Sequence, residues 1–263
     1  MPTAGLADYE LHYEVYGSGH PLLLIAGTGS THTSWLEQIP SYADRFTCIA
    51  YDARGIGSST TDAKPLTVKD LAMDALAILD HLGVDRCHVI GTSLGAATAQ
   101  EMYFIDSGRI SRMILHAPWD RTRAYPHLAH QFELRIELIQ RGDIELYERL
   151  SSLWLFSPEY YSSSIAPPAD RKPRERSTEE WQSLVRLFEA CLLHDVRQRL
   201  AAVNAPTLVT VGADDFLIRP SYADHVAKGI PGARLVVWPR AGHLARTEQP
   251  ETFARATLSF LTG

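Results

Sequence analysis

Ser93 stands in the stretch Gly91-Thr92-Ser93-Leu94-Gly95, a G-x-S-x-G spacing suited to a nucleophilic serine on a sharp strand-to-helix turn. The glycines have a mechanical reason, since side chains at either position would collide as the chain doubles back. Chance alone supplies this pattern now and then, so its placement matters: an apolar run precedes it and a small-residue helix pattern follows. A serine hydroxyl is a poor nucleophile near neutral pH and needs a base that titrates there. Of the eleven histidines, His243 is the best placed. Gly242 precedes it, an apolar run lies upstream and a helical pattern lies downstream, so its loop can reach over a sheet edge. His88 and His116 fall on or beside strand patterns and read as hydrogen-bonded core residues. His127 and His130 lack a carboxylate or cysteine at metal spacing and read as surface residues. No metal and no cofactor are expected.

The base needs a carboxylate that holds the imidazole in one tautomer and stabilises its charged form. Gly212-Ala213-Asp214-Asp215 closes the strand pattern before the one leading to His243. Either aspartate can serve, with Asp215 further into the loop; Asp120, after another strand, is a third candidate. The chain order Ser93, Asp, His243 suits this chemistry. Acyl transfer also passes through an oxyanion that fixed backbone N–H groups stabilise. Leu94, following the nucleophile, is one expected donor. Thr28, in the loop Gly27-Thr28-Gly29-Ser30, is the other. That loop lacks the Lys of G-x-x-x-x-G-K-[ST] and the spacing of G-x-G-x-x-G, which sets phosphate binding aside.

These residues need a scaffold, and the first half of the chain alternates strand and helix patterns. Tyr9 to Tyr16 reads as an edge strand. Pro21 to Ala26, Phe46 to Tyr51, Cys87 to Ile90 and Arg112 to His116 are apolar runs of strands buried on both faces. Thr67 and Asp70 make a capping signal for a helix whose Leu71, Ala72, Ala75, Leu76, Ile78, Leu79 and Leu82 share a face, with Gly83 at its stop. Such alternation means a parallel sheet with helices on both faces. From Trp119 to about Ala202 only helical periodicity appears. Leu128, Phe132, Ile136 and Ile139 form one face; Leu146, Leu150, Leu153 and Trp154 follow; Ser177 with Glu180 caps a further helix. Strands return at Thr207 to Val211 and Arg234 to Trp238, and a last helix runs from Glu251 to Leu261. The expectation is a core of residues 1–118 and 203–263 with a helical cap inserted at 119–202.

Composition narrows the field. With 45% hydrophobic residues and a net charge of −6 spread over short stretches, the chain can bury a full core and offers no basic face for nucleic acid. Cys48, Cys87 and Cys191 are far apart and read as reduced core residues. The N-terminus resembles no signal peptide, and no apolar stretch nears the roughly 20 residues that cross a bilayer. A cytoplasmic protein without a membrane partner is expected.

Several segments together resemble the α/β-hydrolase superfamily over nearly the whole chain: Asp52-Ala53-Arg54-Gly55-Ile56-Gly57-Ser58, the Gly91–Gly95 turn, Ala205-Pro206-Thr207, Gly212–Asp215 and Ala241-Gly242-His243. The resemblance implies an α/β fold with a mostly parallel sheet and an acid at Asp215. The cap and Ala99-Gln100 look most similar to esterase and lactonase groups, such as aminoacrylate hydrolases, 3-oxoadipate enol-lactonases, perhydrolases and zearalenone-type lactonases. Many relatives have His-Gly where this chain has Ala26-Gly27, which loosens any transfer of one subfamily's substrate. Some lactonases of these groups take their acid after the strand preceding the cap, where Ala117 stands here. Epoxide hydrolases and haloalkane dehalogenases of this fold carry an Asp nucleophile, and the turn here carries Ser93.

The expected reaction is hydrolysis of a small or medium, partly apolar ester or lactone through an acyl-Ser93 intermediate. Carbon–carbon cleavage or perhydrolysis with the same residues, and a low-turnover receptor, are the alternatives. Trp119, Trp154, Phe156, Leu217 and Leu244 are expected to line the substrate pocket, with Tyr160, Tyr161 and Phe216 as further candidates. Arg171, Lys172, Arg174 and Arg176 read as a solvated loop that could instead recognise an anion. Cap and sheet edges both offer contacts for a homodimer.

Overall fold

In a computed structural model, residues 2–163 and 175–263 are described. Eight strands run in the order β1-β2-β4-β3-β5-β6-β7-β8. They are β1 (Thr3–Gly5), β2 (Glu10–Tyr16), β3 (His20–Ile25), β4 (Phe46–Tyr51), β5 (Cys87–Thr92), β6 (Ile110–His116), β7 (Thr207–Gly212) and β8 (Arg234–Trp238). β1 and β2 pair antiparallel, as do β2 and β4, and every later pairing is parallel. The helices are α1 (Ile39–Tyr42), α2 (Val68–His81), α3 (Leu94–Ile105), α4 (Pro126–Arg141), α5 (Ile144–Leu155), α6 (Pro158–Tyr161), α7 (Thr178–Leu193), α8 (Pro220–Gly229), α9 (Ala245–Glu248) and α10 (Pro250–Thr262). This is the α/β-hydrolase architecture that the sequence resemblance implies.

The apolar runs work because each strand feeds two cores at period two. Leu23, Val89, Met113 and Val209 meet Ala72 and Leu79 of α2, Ala96 of α3 and Val226 of α8. Leu22, Leu24, Ile90, Ile114 and Leu208 meet Trp35, Tyr42, Phe260 and Leu261 on the other face. At the start of α2 the capping pair is complete, Asp70 N–H donating to Thr67 Oγ1 at 3.2 Å and Thr67 N–H to Asp70 Oδ2 at 2.8 Å.

Two expectations change. The Tyr9–Tyr16 segment is not the edge, because the three-residue β1 pairs outside it; so short a strand shows no period to read. In α5 the buried residues are Tyr147 and Ser151, while Leu146 and Leu153 are exposed. Both rows have helical spacing, and only packing selects the one that turns inward. Helix α8 carried no sequence expectation.

Helices α4 to α7 lie between β6 and β7, and α4, α5 and α7 share one apolar cluster with Leu94 and Leu217 at the sheet's edge. Arg171, Lys172 and Arg174 lie outside the described residues. Arg176 is no solvated residue, since its Nη1 donates to Glu148 Oε1 at 2.8 Å and its guanidinium lies 4.8 Å from the Trp181 ring centre. Cys48, Cys87 and Cys191 are free and buried, and burial pushes each thiol up to about 12. Among the described residues no helix is long and apolar enough to cross a membrane.

Candidate active site

Ser93 sits between β5 and α3 with φ 54° and ψ −119°, a conformation that L-residues hold at a cost of about 1–3 kcal/mol. The surroundings enforce it. Ser93 N–H donates to His116 O at 2.8 Å, and Ser93 O accepts from Ala96 N–H at 2.8 Å and Ala97 N–H at 3.1 Å. A Cβ on Gly91 would stand 2.2 Å from Gly95 O, and one on Gly95 would stand 2.2 Å from Ile25 O. Both glycines are therefore required by backbone contact. Leu94 opens α3, so its N–H is among those a helix leaves without an intrahelical acceptor, at the end where the dipole is positive.

The loop after β8 carries His243. Gly212, at the end of β7, admits this loop, since a Cβ there would lie 2.2 Å from Gly242 O and 2.3 Å from Ala241 O. His243 Nδ1 lies 2.8 Å from Asp215 Oδ2. Asp215 Oδ1 accepts Leu217 N–H at 2.9 Å and Ile218 N–H at 2.8 Å. With Nδ1 donating to that carboxylate, the His243 lone pair is on Nε2. The other two aspartates are elsewhere. Asp214 is exposed. Asp120 accepts Arg197 Nε–H at 2.7 Å and the Tyr125 hydroxyl at 2.8 Å.

His116 is a core residue, as expected, and also a brace. Its Nε2 lies 3.0 Å from His243 O and its Nδ1 lies 2.9 Å from Thr210 Oγ1. Burial, reinforced by His243, pushes its pKa down to about 3. It stays neutral, donating through Nε2 to the His243 carbonyl and accepting the Thr210 hydroxyl through Nδ1.

Ser93 and His243 line one cavity of about 120 Å³, together with Thr28, Leu217 and Leu244. From the helical segment Phe132, Arg135, Tyr147, Ser151, Leu155 and Phe188 complete the wall. Trp119, Trp154 and Phe156 are not in it. Trp119 is wholly buried among the helices, its indole N–H donating to Thr122 Oγ1 at 2.7 Å. Trp154 lies against the Arg135 guanidinium at 4.5 Å, and Phe156 stacks on Tyr160 at 4.9 Å. Phe216 is half exposed and packs edge-on against His127. An aromatic beside a strand end can turn toward the pocket or back into the helices, and spacing does not distinguish the two.

Arg135 and Arg246 are wall residues that sequence reasoning missed. Arg246 follows His243 by three positions, which is the only signal it carries. It donates through Nη1 to Gln38 Oε1 at 3.0 Å and lies 4.7 Å from the Trp35 ring centre. Burial pushes it down to about 10.

Among the described residues, one group of metal-type side chains comes together, His12, His32 and Asp52, with candidate ligand atoms within 4.8 Å of one another. It lies outside the cavity wall. Asp52 is already engaged, Oδ1 with His32 N–H at 2.7 Å and His32 Nδ1 at 2.8 Å, and Oδ2 with Ser58 N–H at 2.9 Å. These bonds tie the Asp52–Ser58 loop to the segment after β3.

Comparison with known proteins agrees with this architecture. The model of the alpha/beta hydrolase family matches residues 22–256. A protein of Azorhizobium caulinodans named carbamate hydrolase RutD is 31% identical over 99% of this chain and 98% of its own. A hydrolase of Pseudomonas aeruginosa superposes with a TM-score of 0.84 at 31% identity, covering 100% of this chain and 98% of its own. The enol-lactonase of Burkholderia xenovorans superposes at 0.89 over the whole of both chains, and at 23% identity that likeness concerns the fold.

Proposed function

This chain belongs to the alpha/beta hydrolase family, and on that premise we propose that it is a serine hydrolase that cleaves a small carboxylic ester or lactone through an acyl-Ser93 intermediate. One observation carries the reading: His243, held by Asp215 at 2.8 Å, shares a cavity with a serine on a strained turn. His243 Nε2 takes the hydroxyl proton as Ser93 Oγ attacks the carbonyl. The Leu94 and Thr28 backbone N–H groups receive the oxyanion, each such donor being worth about 3 kcal/mol. His243 then gives the proton to the departing alcohol, and the acyl-serine forms. Water enters, loses a proton to the same nitrogen and releases the acid. Asp215 stays ionised and holds Nδ1–H, so the basic nitrogen always faces the cavity.

Helices α4 to α7 act in this reading as a cap that bounds the acyl pocket, and the small cavity favours a short acyl group. A second reading replaces the ester by a carbamate, which the name of the Azorhizobium relative favours. The steps are the same: the alcohol leaves, a carbamoyl-serine forms, and water releases a carbamic acid that breaks down to the amine and carbon dioxide.

A fluorophosphonate probe tests the mechanism. The wild-type chain is expected to be labelled at Ser93 and Ser93→Ala to remain unlabelled. An unlabelled wild type, or equal labelling of both, would overturn the proposal. Initial rates on matched short esters, lactones and carbamates then separate the substrate classes.

A further inference from the structure

Arg135 stands on α4 with 3% of its surface exposed, and its side chain belongs to the wall of the cavity that Ser93 and His243 line. Several buried or half-buried arginines have a carboxylate: Arg54 has Asp74, Arg176 has Glu148 and Arg197 has Asp120, whereas buried Arg246 makes no such pair among the described residues. Arg135 has none among the described residues. Its polar contact is Nη1 to Gln131 O at 3.5 Å, at the limit of a hydrogen bond. The Trp154 and Phe188 rings lie 4.5 Å and 5.8 Å from the guanidinium, and ring faces attract a cation without accepting its fork of N–H groups. Among the described residues no Asp or Glu lines the cavity, and the arginines that line it are Arg135 and Arg246. Arg246 Nη1 already donates to the Ser34 carbonyl and to Gln38, so among the described residues Arg135 is the wall arginine with the weaker protein hydrogen bonding.

We propose that Arg135 is a carboxylate-binding residue of the pocket, and that the substrates carry a free carboxylate a few bonds from the scissile carbonyl. The proposal rests on the serine-hydrolase reading and narrows its substrate class. A planar guanidinium grips a carboxylate through two parallel hydrogen bonds, and a water-poor cavity strengthens that pairing. Burial without an anion pushes Arg135 down to about 10, and the nearby Tyr147 and Cys191, both neutral near pH 7, oppose the shift only in part. Size sets the reach. A cavity of about 150 Å³ takes a benzene-sized guest, and about 120 Å³ is available here. So small a space restricts the candidates to the shortest half-esters of dicarboxylic acids, or to a small lactone bearing a carboxylate.

The full chain is assayed at pH 7 on the monomethyl esters of malonic, succinic and glutaric acid. Each is paired with the ester whose free acid is replaced by its amide, a neutral isostere. Acetoxyacetate against acetoxyacetamide places the carboxylate on the leaving group instead. At one chain length or more, wild-type kcat/KM is expected to favour the acid over its amide by about tenfold or more, as for a charge-assisted pair. Arg135→Gln brings that ratio to about one or below, whatever its absolute rate, and Arg135→Lys keeps an intermediate ratio, because the charge remains and the fork is lost. Wild-type ratios at or below one for every pair, or a ratio that survives in Arg135→Gln, overturn the proposal. Should Arg135→Gln fail to fold, inhibition of p-nitrophenyl acetate hydrolysis in wild type decides: a free dicarboxylate must compete more strongly than its diamide. Ser93-dependent turnover of p-nitrophenyl acetate is the internal reference. If it is present with flat ratios, the carboxylate proposal alone fails; if it is absent, the hydrolase reading fails and takes this one with it.

Discussion

Replacing Asp215 by Asn tests the mechanism more sharply than deleting it. Asp215 receives three hydrogen bonds, from Leu217 N–H and Ile218 N–H on Oδ1 and from His243 on Oδ2. An asparagine oxygen at the Oδ1 position keeps both backbone bonds, so the loop stays in place. Its amide NH2 then faces His243 Nδ1, and two donors cannot meet. The imidazole answers by moving its proton to Nε2, the nitrogen that must accept from Ser93. A wrong tautomer with intact geometry lowers kcat by about 10⁴, equivalent to about 5.4 kcal/mol at 1.36 kcal/mol per decade. KM changes little, because Asp215 is not part of the cavity wall. Rates on p-nitrophenyl acetate at pH 7.5, with the melting curve as a check on folding, measure this. Exposed Asp214 provides a control, and Asp214→Asn is expected to keep wild-type kcat. If Asp215→Asn retained more than about a tenth of wild-type kcat, the assignment of the orienting acid would be wrong.

Arg54→Met should cost about 3–5 kcal/mol, because it leaves a buried Asp74 without its two-point partner; a urea midpoint equal to wild type would contradict this. Gly91→Ala should cost about 3 kcal/mol or more, since its Cβ would stand 2.2 Å from the Gly95 carbonyl oxygen. For a chain of this size that lowers the melting temperature by about 6 °C or more, and an unchanged melt would refute it. Stability should also fall in mild acid. His116 and His194 are buried neutral, with burial pushing them down to about 3 and about 4, against about 6.5 in an unfolded chain. Their contribution is complete above pH 6.5 and is lost as the pH falls toward 4, at up to about 2.7 kcal/mol per unit, because only the unfolded chain takes the protons there. Urea titrations at pH 7, 6 and 5 measure that slope, and a flat profile would sink it.

Much of the scaffold was legible because its causes are local. A strand covered on both faces has to be apolar throughout, so β3 to β7 show as runs. A capping pair needs only residues three apart, as Thr67 and Asp70 are. The Ser93 turn is local too: two glycines and a strained serine follow from steric contact over five residues, and tertiary neighbours only tighten it. β1 was not legible, since its pairing partner defines it and three residues carry no pattern.

What the sequence determined by itself, then, is the order of most elements, the turn that presents Ser93, and a short set of histidines and carboxylates able to serve it. What only the tertiary structure decided is which of them meet. Asp215 rather than Asp214 or Asp120 stands beside His243, because Gly212 lets the ends of β7 and β8 close on each other while Asp120 is held by Arg197. Tyr147 and Ser151 rather than Leu146 and Leu153 of α5 face inward, Trp119 turns away from the cavity, and Arg135 is buried in its wall without an acid among the described residues. Each depends on distances between elements far apart in the chain, and residue spacing along one element carries no record of them.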